Sequence, residues 1–311
     1  MAVVISLTVI VPTMNRPETL ERTLKTYAAG NVVPDQIVIV DQTQDEAMRQ
    51  RVWELANQFC AEYHFQPIPS LTKARNTGLS YARNEIIVYS DDDIDIYPET
   101  LEKLYEIMKN PQIALIAGLD DNTGASRTDI GYILGTKSYK KRNIGHVTKS
   151  VLGRYPDQVE GTVDTEWAMG YFYTVRNSLL HKWNIQWDER LISYAYAEDL
   201  DFSWRYCQKA RQEGLKCILT DKVRVKHMES KEYRIPSKKS SYMYAIHRRY
   251  IAYKYGCSRS TYWCINYCDF FRTIERLVKR EKPMELINAI LTAHKLKKTG
   301  FVSLESTIAE V

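Results

Sequence analysis

Short apolar segments alternate with amphipathic segments along the first third of the chain. VISLTVIVPT, QIVIVD, EIIVYS and QIALIAGL are rich in Val and Ile, carry few charges, and are separated by patterns with apolar residues at helical spacing. Uncharged β-branched runs separated by helices are typical of strands buried on both faces of a sheet. The pattern therefore predicts an α/β fold, Rossmann-like, with a mostly parallel sheet flanked by helices.

The segments between the strands predict helices. RPETLERTLKTYAAG begins a helix at Pro17 and ends it at Gly30, and helices are also predicted over DEAMRQRVWELANQFC, LTKARNTGLSYARN and residues 98–109. A short strand is expected near YHFQPI. Further along, TEWAMGYFYTVRNSLLHKW predicts a strand and a short helix, another helix ends at Gly214, and KCILTDKVRVKH predicts one or two strands ending at His227. Residues 119–165 are polar and contain several glycines, which indicates loops.

Polar residues follow three of the predicted strands. Thr13, Asp41 and the run Asp91–Asp93 each come at a strand's carboxyl end. Parallel sheets bind ligands at that edge, so we expect these side chains to converge.

The segment YSDDDID places four aspartates together, since Asp95 follows Asp91–Asp93. Neighbouring carboxylates repel, and burying them is costly unless a cation or several donors offset their charge. An acidic turn is the alternative interpretation, because Asp favours turns and helix starts. Four acids exceed what one helix cap needs, so a metal site is favoured, with Asp95 interpreted as a turn residue.

Composition excludes several classes of protein. The chain has 311 residues, of which 44% are hydrophobic, and no uncharged apolar run is long enough for a membrane-spanning helix. The start, MAVVISLTVIVPTMNR, lacks a basic region and a cleavage site, so it predicts a first strand rather than a signal peptide. The six cysteines form no C-x-x-C pair. Reduced thiols in a cytoplasmic protein are therefore expected, and a zinc site is not.

The charges divide the chain into two regions. Residues 231–311 carry 16 Lys and Arg against 7 Asp and Glu, whereas residues 1–230 carry 27 against 31. The second region is also rich in tyrosine and contains Trp263. We predict a helical C-terminal region that either lies on an anionic membrane surface or packs as a cap on the first domain. No nucleic-acid-binding module is recognised, so nucleic acid is not an expected partner.

Six motifs in order resemble the glycosyltransferases of family 2, which have the GT-A fold. They are TVIVPTMNRPETLERTL, IVIVDQTQDE, KARNTGLSYARNEIIVYSDDDI, WAMGYFYTVRN, AEDLDFSWR and a following histidine, and they cover residues 6 to 230. The resemblance implies an inverting transfer of a sugar from a nucleotide-sugar donor of UDP, GDP or dTDP type. The acceptor would be a hydroxyl of a glycan or lipid-linked molecule, in cell-surface polysaccharide or glycolipid synthesis. The family also implies Mn²⁺ or Mg²⁺, which stabilises the charge of the diphosphate leaving group.

The resemblance assigns the acidic run to the metal and the donor. Asp93 matches the metal ligand, and Asp91 or Asp92 matches the residue that contacts the ribose. His227 matches a histidine that completes the metal shell in several members, with a purely structural role as the alternative. Asp41 matches the acid that accepts a hydrogen bond from the base. The family more often has a second acid and GS after this position, whereas QTQ follows here, which leaves the base open.

Other donor-pocket residues carry over individually. Thr13, Asn15 and Arg16 lie on the first loop, where the family lines the nucleotide pocket, although Asn15 could instead be a helix cap. Arg75 matches an arginine near the base and diphosphate, with a solvated helix charge as the alternative.

The acceptor side rests on the later motifs. Trp167 and Gly170 match the segment that shapes the acceptor and sugar pocket, with Trp167 as plain core the alternative. The resemblance points to Asp199 as the base that deprotonates the acceptor and to Glu198 as an orienting residue. Asp201 is expected to cap the helix or to pair with Arg205 one turn later.

Two other functions remain open. One is a nucleotidyltransferase or phosphatase that uses a strand-end Asp-x-Asp, although the Asp-x-Asp-x-Thr or Val of aspartate-nucleophile phosphatases is absent. The other is a non-catalytic scaffold that binds a sugar or nucleotide-sugar on the same fold. We expect a cytoplasmic protein, with a peripheral position on the inner face of the cytoplasmic membrane as a further hypothesis.

Overall fold

The structure is a computed structural model that describes residues 3–121, 143–156, 158–193, 196–228 and 236–311. Residues 122–142, which belong to the predicted loop segment 119–165, lie outside the described residues. The predicted domain boundary at 230 lies outside them as well. The boundary therefore stays a prediction.

The described strands form one large sheet and a small hairpin. The large sheet has the order β3-β2-β1-β4-β10-β6-β11-β5, with β9 paired to β11, and β7 pairs with β8. The strands are β1 (Val3–Thr13), β2 (Val32–Asp41), β3 (Glu62–Phe65), β4 (Ile86–Ser90), β5 (Ile94–Ile96), β6 (Ile113–Asp120), β7 (His146–Val147), β8 (Gly153–Arg154), β9 (Thr162–Asp164), β10 (Phe172–Arg176) and β11 (Lys216–His227). Strands β1, β2, β3, β4, β6 and β11 run parallel, and β5, β9 and β10 run antiparallel to them. The predicted mostly parallel sheet is confirmed.

Helices cover both faces of this sheet. In the described residues they are α1 (Pro17–Ala28), α2 (Glu46–Gln58), α3 (Leu71–Tyr81), α4 (Thr100–Met108), α5 (Asn177–Trp183), α6 (Glu198–Gln212), α7 (Ser237–Lys254), α8 (Arg259–Lys279), α9 (Pro283–Lys298) and α10 (Leu304–Ala309). Leu24 of α1 and Leu104 of α4 belong to one hydrophobic core, and Leu180 of α5 and Phe202 of α6 belong to another. Two cores separated by a sheet are what strands without an alternating polar face require.

Strand β5 was not predicted from the sequence. It pairs antiparallel with the end of β11 and contains Asp95, whose carboxylate forms an ion pair with Arg22 of α1. The interpretation of Asp95 as a turn residue is therefore wrong. Three residues are too few to show a strand pattern, and the pairing depends on a partner that is far away in sequence.

The C-terminal helices pack on the first domain. Lys254 of α7 lies 2.7 Å from Asp188 and 2.8 Å from Asp201, and Arg248 donates a 3.0 Å hydrogen bond to the carbonyl of Ser150. The expected cap by Asp201 or its pairing with Arg205 is wrong, because α7 supplies the cation instead. These contacts are those that the cap interpretation of residues 231–311 requires.

Two cations of this region are buried rather than solvated. Arg248 and Arg249 have no exposed surface, and both pair with Asp269 of α8 at 2.8 and 2.7 Å. The cluster HRRY therefore does not contribute to a basic surface. Within the described residues, none of the helices has the length and apolarity needed to cross a membrane.

Candidate active site

Three strand ends meet at one edge of the sheet. Thr13, at the end of β1, lies opposite Asp41 at the end of β2, and its hydroxyl donates a 2.6 Å hydrogen bond to Asp92, just after β4. The expectation that these positions converge is confirmed. The convergence follows from the parallel order of β2, β1 and β4.

Asp91, Asp93 and His227 form a cluster suited to a metal ion. One oxygen of each carboxylate and one ring nitrogen of His227 all lie within 4.8 Å of one another. The pairing of β5 with β11 produces this arrangement, because it sets His227 opposite Ile94, directly after Asp93. Two carboxylates and an imidazole fit Mn²⁺, which accepts nitrogen together with oxygen ligands. The sequence had named Asp93 and His227 as ligands, and the structure adds Asp91.

His227 is held from three sides. Its Nε2 lies 3.3 Å from Asp93 Oδ1, its ring stacks on Tyr171 with centroids 5.2 Å apart, and its backbone N–H donates to Asp120 at 2.9 Å. Burial disfavours the imidazolium, but the hydrogen bond to Asp93 and the nearby carboxylates outweigh it and raise the pKa of His227. Tyr171 was not identified from the sequence, since no local pattern marks a ring that stacks on a distant histidine.

Asp92 faces inward. It has no exposed surface, and its two oxygens accept hydrogen bonds from Thr13 and from the guanidinium of Arg16. Arg16 also lies 3.7 Å from Asp93, so it joins the first loop to the acidic run. Burial raises the pKa of Asp92 to about 7, although Arg16 and Thr13 lower it. Asp91 keeps 27% of its side chain exposed, so of the two aspartates predicted at the ribose it is the accessible one.

Asn15 joins the first loop to the segment after β2. Its backbone N–H donates to the hydroxyl of Thr43 at 2.9 Å, its side-chain oxygen accepts from the backbone of Gln44 at 3.3 Å, and its φ is 56°. The N-cap position of α1 is occupied by Arg16. The helix-cap alternative for Asn15 is therefore wrong.

Asp41 lies at the predicted strand end but is fully buried. Its oxygens accept hydrogen bonds from the backbone of Thr43 at 2.9 Å and from the hydroxyl of Tyr63 at 3.0 Å. Burial raises the pKa of Asp41, against these hydrogen bonds. Tyr63 thus occupies one oxygen of this carboxylate, and it was not identified from the sequence.

Arg75 connects the acidic run to the start of α6. Its guanidinium lies 3.0 Å from both Asp91 and Glu198, and it stacks 4.4 Å from the centroid of Trp187. Only 1% of Arg75 is exposed, so the alternative of a solvated helix charge is wrong. Trp187 was missed because its contact with Arg75 joins residues far apart in the chain.

Glu198 and Asp199 lie in the first turn of α6, on the other side of Arg75. Burial and the charge of Asp199 raise the pKa of Glu198 to about 8, although Arg75 lowers it. Asp199 accepts hydrogen bonds from the backbone N–H groups of Gly170 at 2.9 Å and Leu200 at 2.7 Å, and burial raises its pKa. The Asp199 carboxylate is thus fixed in direction while its affinity for a proton is increased.

Gly170 leaves room for the side chains of Asp199 and Arg75. A Cβ at this position would lie 3.1 Å from Cβ of Asp199 and 3.2 Å from the guanidinium of Arg75. Trp167, by contrast, is 95% buried, packs 5.0 Å from Tyr155, and donates its ring N–H to the carbonyl of Arg154. This environment agrees with the alternative interpretation of Trp167, a core residue rather than a residue of the acceptor pocket.

A family model matches the N-terminal part of the sequence. Residues 8–158 match the model of glycosyl transferase family 2. The resemblance to family 2 glycosyltransferases is thereby confirmed. No curated protein matches the sequence significantly. The family match ends before Gly170, Glu198, Asp199 and His227, so the placement of these residues rests on the structure.

Three solved structures have a fold similar to that of this chain. The mannosyltransferase PcManGT from Pyrobaculum calidifontis, in complex with GDP-Man and Mn²⁺, is 16% identical with a TM-score of 0.55 over 98% of this chain and 79% of its own. GalNAc-T7 with UDP, GalNAc and Mn²⁺ is 15% identical with a TM-score of 0.55, over 79% of this chain and 50% of its own. Residues 1–349 of S. aureus TarS are 16% identical with a TM-score of 0.52, over 95% of this chain and 92% of their own.

These similarities establish the GT-A fold for this chain. The family and the fold together support a transferase that uses a nucleotide-sugar donor.

Proposed function

We propose that this protein is a metal-dependent inverting glycosyltransferase that moves a sugar from a nucleotide-sugar to an acceptor hydroxyl. The observation that carries the proposal is that Arg75 links two groups of acidic residues, one at the candidate metal cluster and one at the start of α6. Asp91, Asp93 and His227 form a candidate metal cluster, and Arg75 bridges Asp91 to Glu198, next to Asp199. A site for the leaving diphosphate and a site for the attacking hydroxyl are therefore adjacent.

Asp91, Asp93 and His227 would hold the Mn²⁺ or Mg²⁺. The ion, when bound, stabilises the negative charge that develops on the diphosphate as the glycosidic bond breaks. Arg16 keeps the acidic run in position through Asp92 and Asp93. Two solved structures with this fold contain Mn²⁺, and the His227 ligand favours Mn²⁺ over Mg²⁺ here.

The nucleotide would bind along the first loop and the ends of β1 and β2. Asp91 rather than Asp92 is proposed to contact the ribose, because Asp92 uses both oxygens inside the protein. Asp41 remains the proposed partner of the base, and it would accept this hydrogen bond beside the one that it accepts from Tyr63. Arg75 is proposed to lie near the diphosphate, because it pairs with Asp91 of the candidate metal cluster.

Asp199 is proposed as the catalytic base. It accepts the proton of the acceptor hydroxyl while that oxygen attacks the anomeric carbon from the face opposite the leaving group, which inverts the configuration. Its two backbone hydrogen bonds fix the carboxylate, and Glu198, held by Arg75, orients the acceptor. Gly170 and the segment from Trp167 shape the space beside the base.

The acceptor class and the location extend the proposal. We infer a glycan or lipid-linked acceptor used in polysaccharide or glycolipid synthesis, and a cytoplasmic enzyme at the inner face of the membrane. The support is the family, together with the positive charge of residues 231–311.

A screen of nucleotide-sugars tests the function. The protein is incubated with UDP-, GDP- and dTDP-sugars, with Mn²⁺ or with EDTA, and release of the nucleoside diphosphate is measured with and without glycan acceptors. We expect Mn²⁺-dependent release from one donor class, which is lost in Asp93→Ala. Release that is equal in EDTA, or equal in Asp93→Ala, would contradict the proposed metal site.

A further inference from the structure

Helix α8 has an exposed apolar face. The residues of this face recur at intervals of three or four, with Val278 beside the last: Trp263, Tyr267, Phe270, Ile274, Leu277 and Val278. Trp263 is 73% exposed, Phe270 61% and Val278 77%. The opposite side of the helix, with Ile265 and Cys268, is buried against the rest of the protein. The apolar face of α8 is therefore a continuous stripe.

A stripe of this kind differs from ordinary exposed apolar residues. Single apolar side chains on a surface are common, but a contiguous row along a whole helix marks a contact with a partner or a membrane. Helix α8 has 21 residues, which corresponds to a stripe about 30 Å long. The buried side is already occupied by the protein core, so the exposed side is available for a second contact.

The charges around the stripe are mostly positive. From Arg259 to Lys282 the chain has six arginines and lysines against three acids. One of these acids, Asp269, is buried and paired with Arg248 and Arg249, and a second, Glu275, is paired with Lys279. Exposed cations lie at both ends of the stripe: Arg259 before it, and Arg280 and Lys282 after it.

This distribution favours an anionic surface over a second copy of the chain. Two copies joined along the stripe would bring cations together at both ends, whether the helices ran parallel or antiparallel. Helix pairs that associate through such a seam usually carry complementary charges on its flanks, whereas Asn266 and Thr273 occupy the flanks here. Aromatic rings at one end and cations at the helix ends are instead typical of helices that lie in a membrane interface.

We propose that the apolar face of α8 docks on an anionic lipid surface, with the helix lying in the plane of the interface. The inference deepens the proposed function by naming the surface that holds the enzyme at the membrane, and it rests on that function only for the lipid-linked class of acceptor. Trp263, Phe270 and Leu277 insert among the acyl chains, while Arg259, Arg280 and Lys282 contact the lipid headgroups. Attraction between these cations and the headgroups weakens as salt is added.

Vesicle binding by the full-length protein tests the proposal. Sedimentation is measured with vesicles of phosphatidylcholine alone and of phosphatidylcholine with phosphatidylglycerol, at low and physiological salt. We expect binding to the anionic vesicles that falls with salt and is much weaker on the neutral ones. The double variant Phe270→Asp with Leu277→Asp is expected to bind at least about tenfold more weakly, because two exposed apolar side chains that would insert into the lipid are replaced by anions.

A matched pair of tryptophan variants controls for general effects of charge. Trp263 lies on the stripe and Trp53 is 47% exposed on α2. We expect Trp263→Asp to weaken vesicle binding several-fold and Trp53→Asp to leave it unchanged. Circular dichroism and unchanged release of nucleoside diphosphate without vesicles would show that each variant is folded.

Three results would overturn the proposal. They are no binding of the natural protein to anionic vesicles at low salt, equal loss of binding in the Trp53 and Trp263 variants, and a dimer in sedimentation equilibrium that the double variant dissociates. If vesicle binding depends on the stripe but no donor is turned over, the proposed function fails and the lipid surface stands. If donors are turned over but vesicles are not bound, the proposed lipid surface fails and the proposed function stands.

Discussion

The carboxyl edge of the sheet and the C-terminal helices handle buried charge in opposite ways. At the sheet edge, Asp91 and Asp93 lie together with His227, and burial raises the pKa of Asp91 and of nearby Glu198. In the C-terminal helices, buried Arg248 and Arg249 share Asp269 and pack as part of the interior. One region therefore concentrates charge that a ligand would neutralise, and the other neutralises much of its charge internally. Acids held close together at the expense of stability indicate function.

The largest effect is expected at the sheet edge. Asp93→Ala removes a carboxylate from the candidate metal cluster, so we expect turnover to fall by about 1,000-fold or more, since a bound metal supplies several kcal/mol of transition-state stabilisation. Turnover is measured with the donor found in the nucleotide-sugar screen. The matched variant Asp95→Ala, on β5 and paired with Arg22 outside the cluster, should retain most activity. Similar losses in both variants would show that the effect is structural rather than due to the metal.

Relief of repulsion should appear in the same Asp93→Ala variant without metal. Removing one of several neighbouring carboxylates favours the folded state, so its melting temperature should equal or exceed that of the natural protein. A thermal shift measured in EDTA checks this. A melting temperature several degrees lower would indicate that Asp93 stabilises the fold through its contacts with Arg16 and His227.

In the C-terminal helices we expect a large loss of folding stability rather than a direct effect on catalysis. Asp269→Asn leaves Arg248 and Arg249 buried without a counter-charge, so unfolding should become easier by about 3–5 kcal/mol. Urea unfolding measures the change, and Glu305→Gln, which breaks the partly exposed pair with Arg190, should cost less than about 1 kcal/mol. Equal effects in the two variants would mean that the Arg248–Arg249–Asp269 group is not the buried ion cluster described.

The proposed catalytic base, Asp199, can be distinguished from its neighbour Glu198 within the active site. Asp199→Asn keeps the shape of the side chain and removes its basicity, so kcat should fall about 100-fold while donor affinity changes only a few-fold. Near-normal transfer by Asp199→Asn together with an inactive Glu198→Gln would reverse the two roles. Activity in both variants would show that this site is not catalytic.

The smallest expected effect is a dependence of stability on pH. The pKa of Glu198 is raised to about 8 in the folded protein, so the folded state holds this proton more tightly than the unfolded chain does. The ionised carboxyl therefore costs stability above about pH 8, and that cost is relieved as the pH falls toward its ordinary pKa. The melting temperature of the metal-free protein should rise between pH 9 and pH 6, by about 2 °C or more, and less in Glu198→Gln. An equal rise in the variant would assign the effect to other groups.

The strand ends could be predicted from the sequence because they depend on local patterns. Uncharged runs of Val and Ile identify parallel strands, and the residue after each run must lie at the carboxyl edge, so Thr13, Asp41 and Asp91–Asp93 could be grouped without the structure. His227 could be placed at a strand end in the same way. Its approach to Asp93 required β5, which is too short to be recognised.

The remaining contacts depend on partners far apart in the chain. Nothing near Arg75 indicates that it is buried against Trp187, and nothing near Asp201 indicates that Lys254 supplies its cation. The basic cluster HRRY was misleading for the same reason, since Arg248 and Arg249 project into the interior while the exposed apolar stripe lies on α8. A charge count does not show which face of a helix carries the charge.

Binding of Mn²⁺ by the natural protein and by His227→Ala and Asp93→Ala tests the central claim most directly. Electron paramagnetic resonance measures free Mn²⁺ during titration, with and without UDP or GDP, and requires no knowledge of the sugar or the acceptor. We expect one Mn²⁺ site that is tightened by one of the nucleotides, weakened about tenfold or more in His227→Ala, and absent in Asp93→Ala. Mn²⁺ binding that is the same in all three proteins would contradict the assignment of the Asp91, Asp93 and His227 cluster as the metal site.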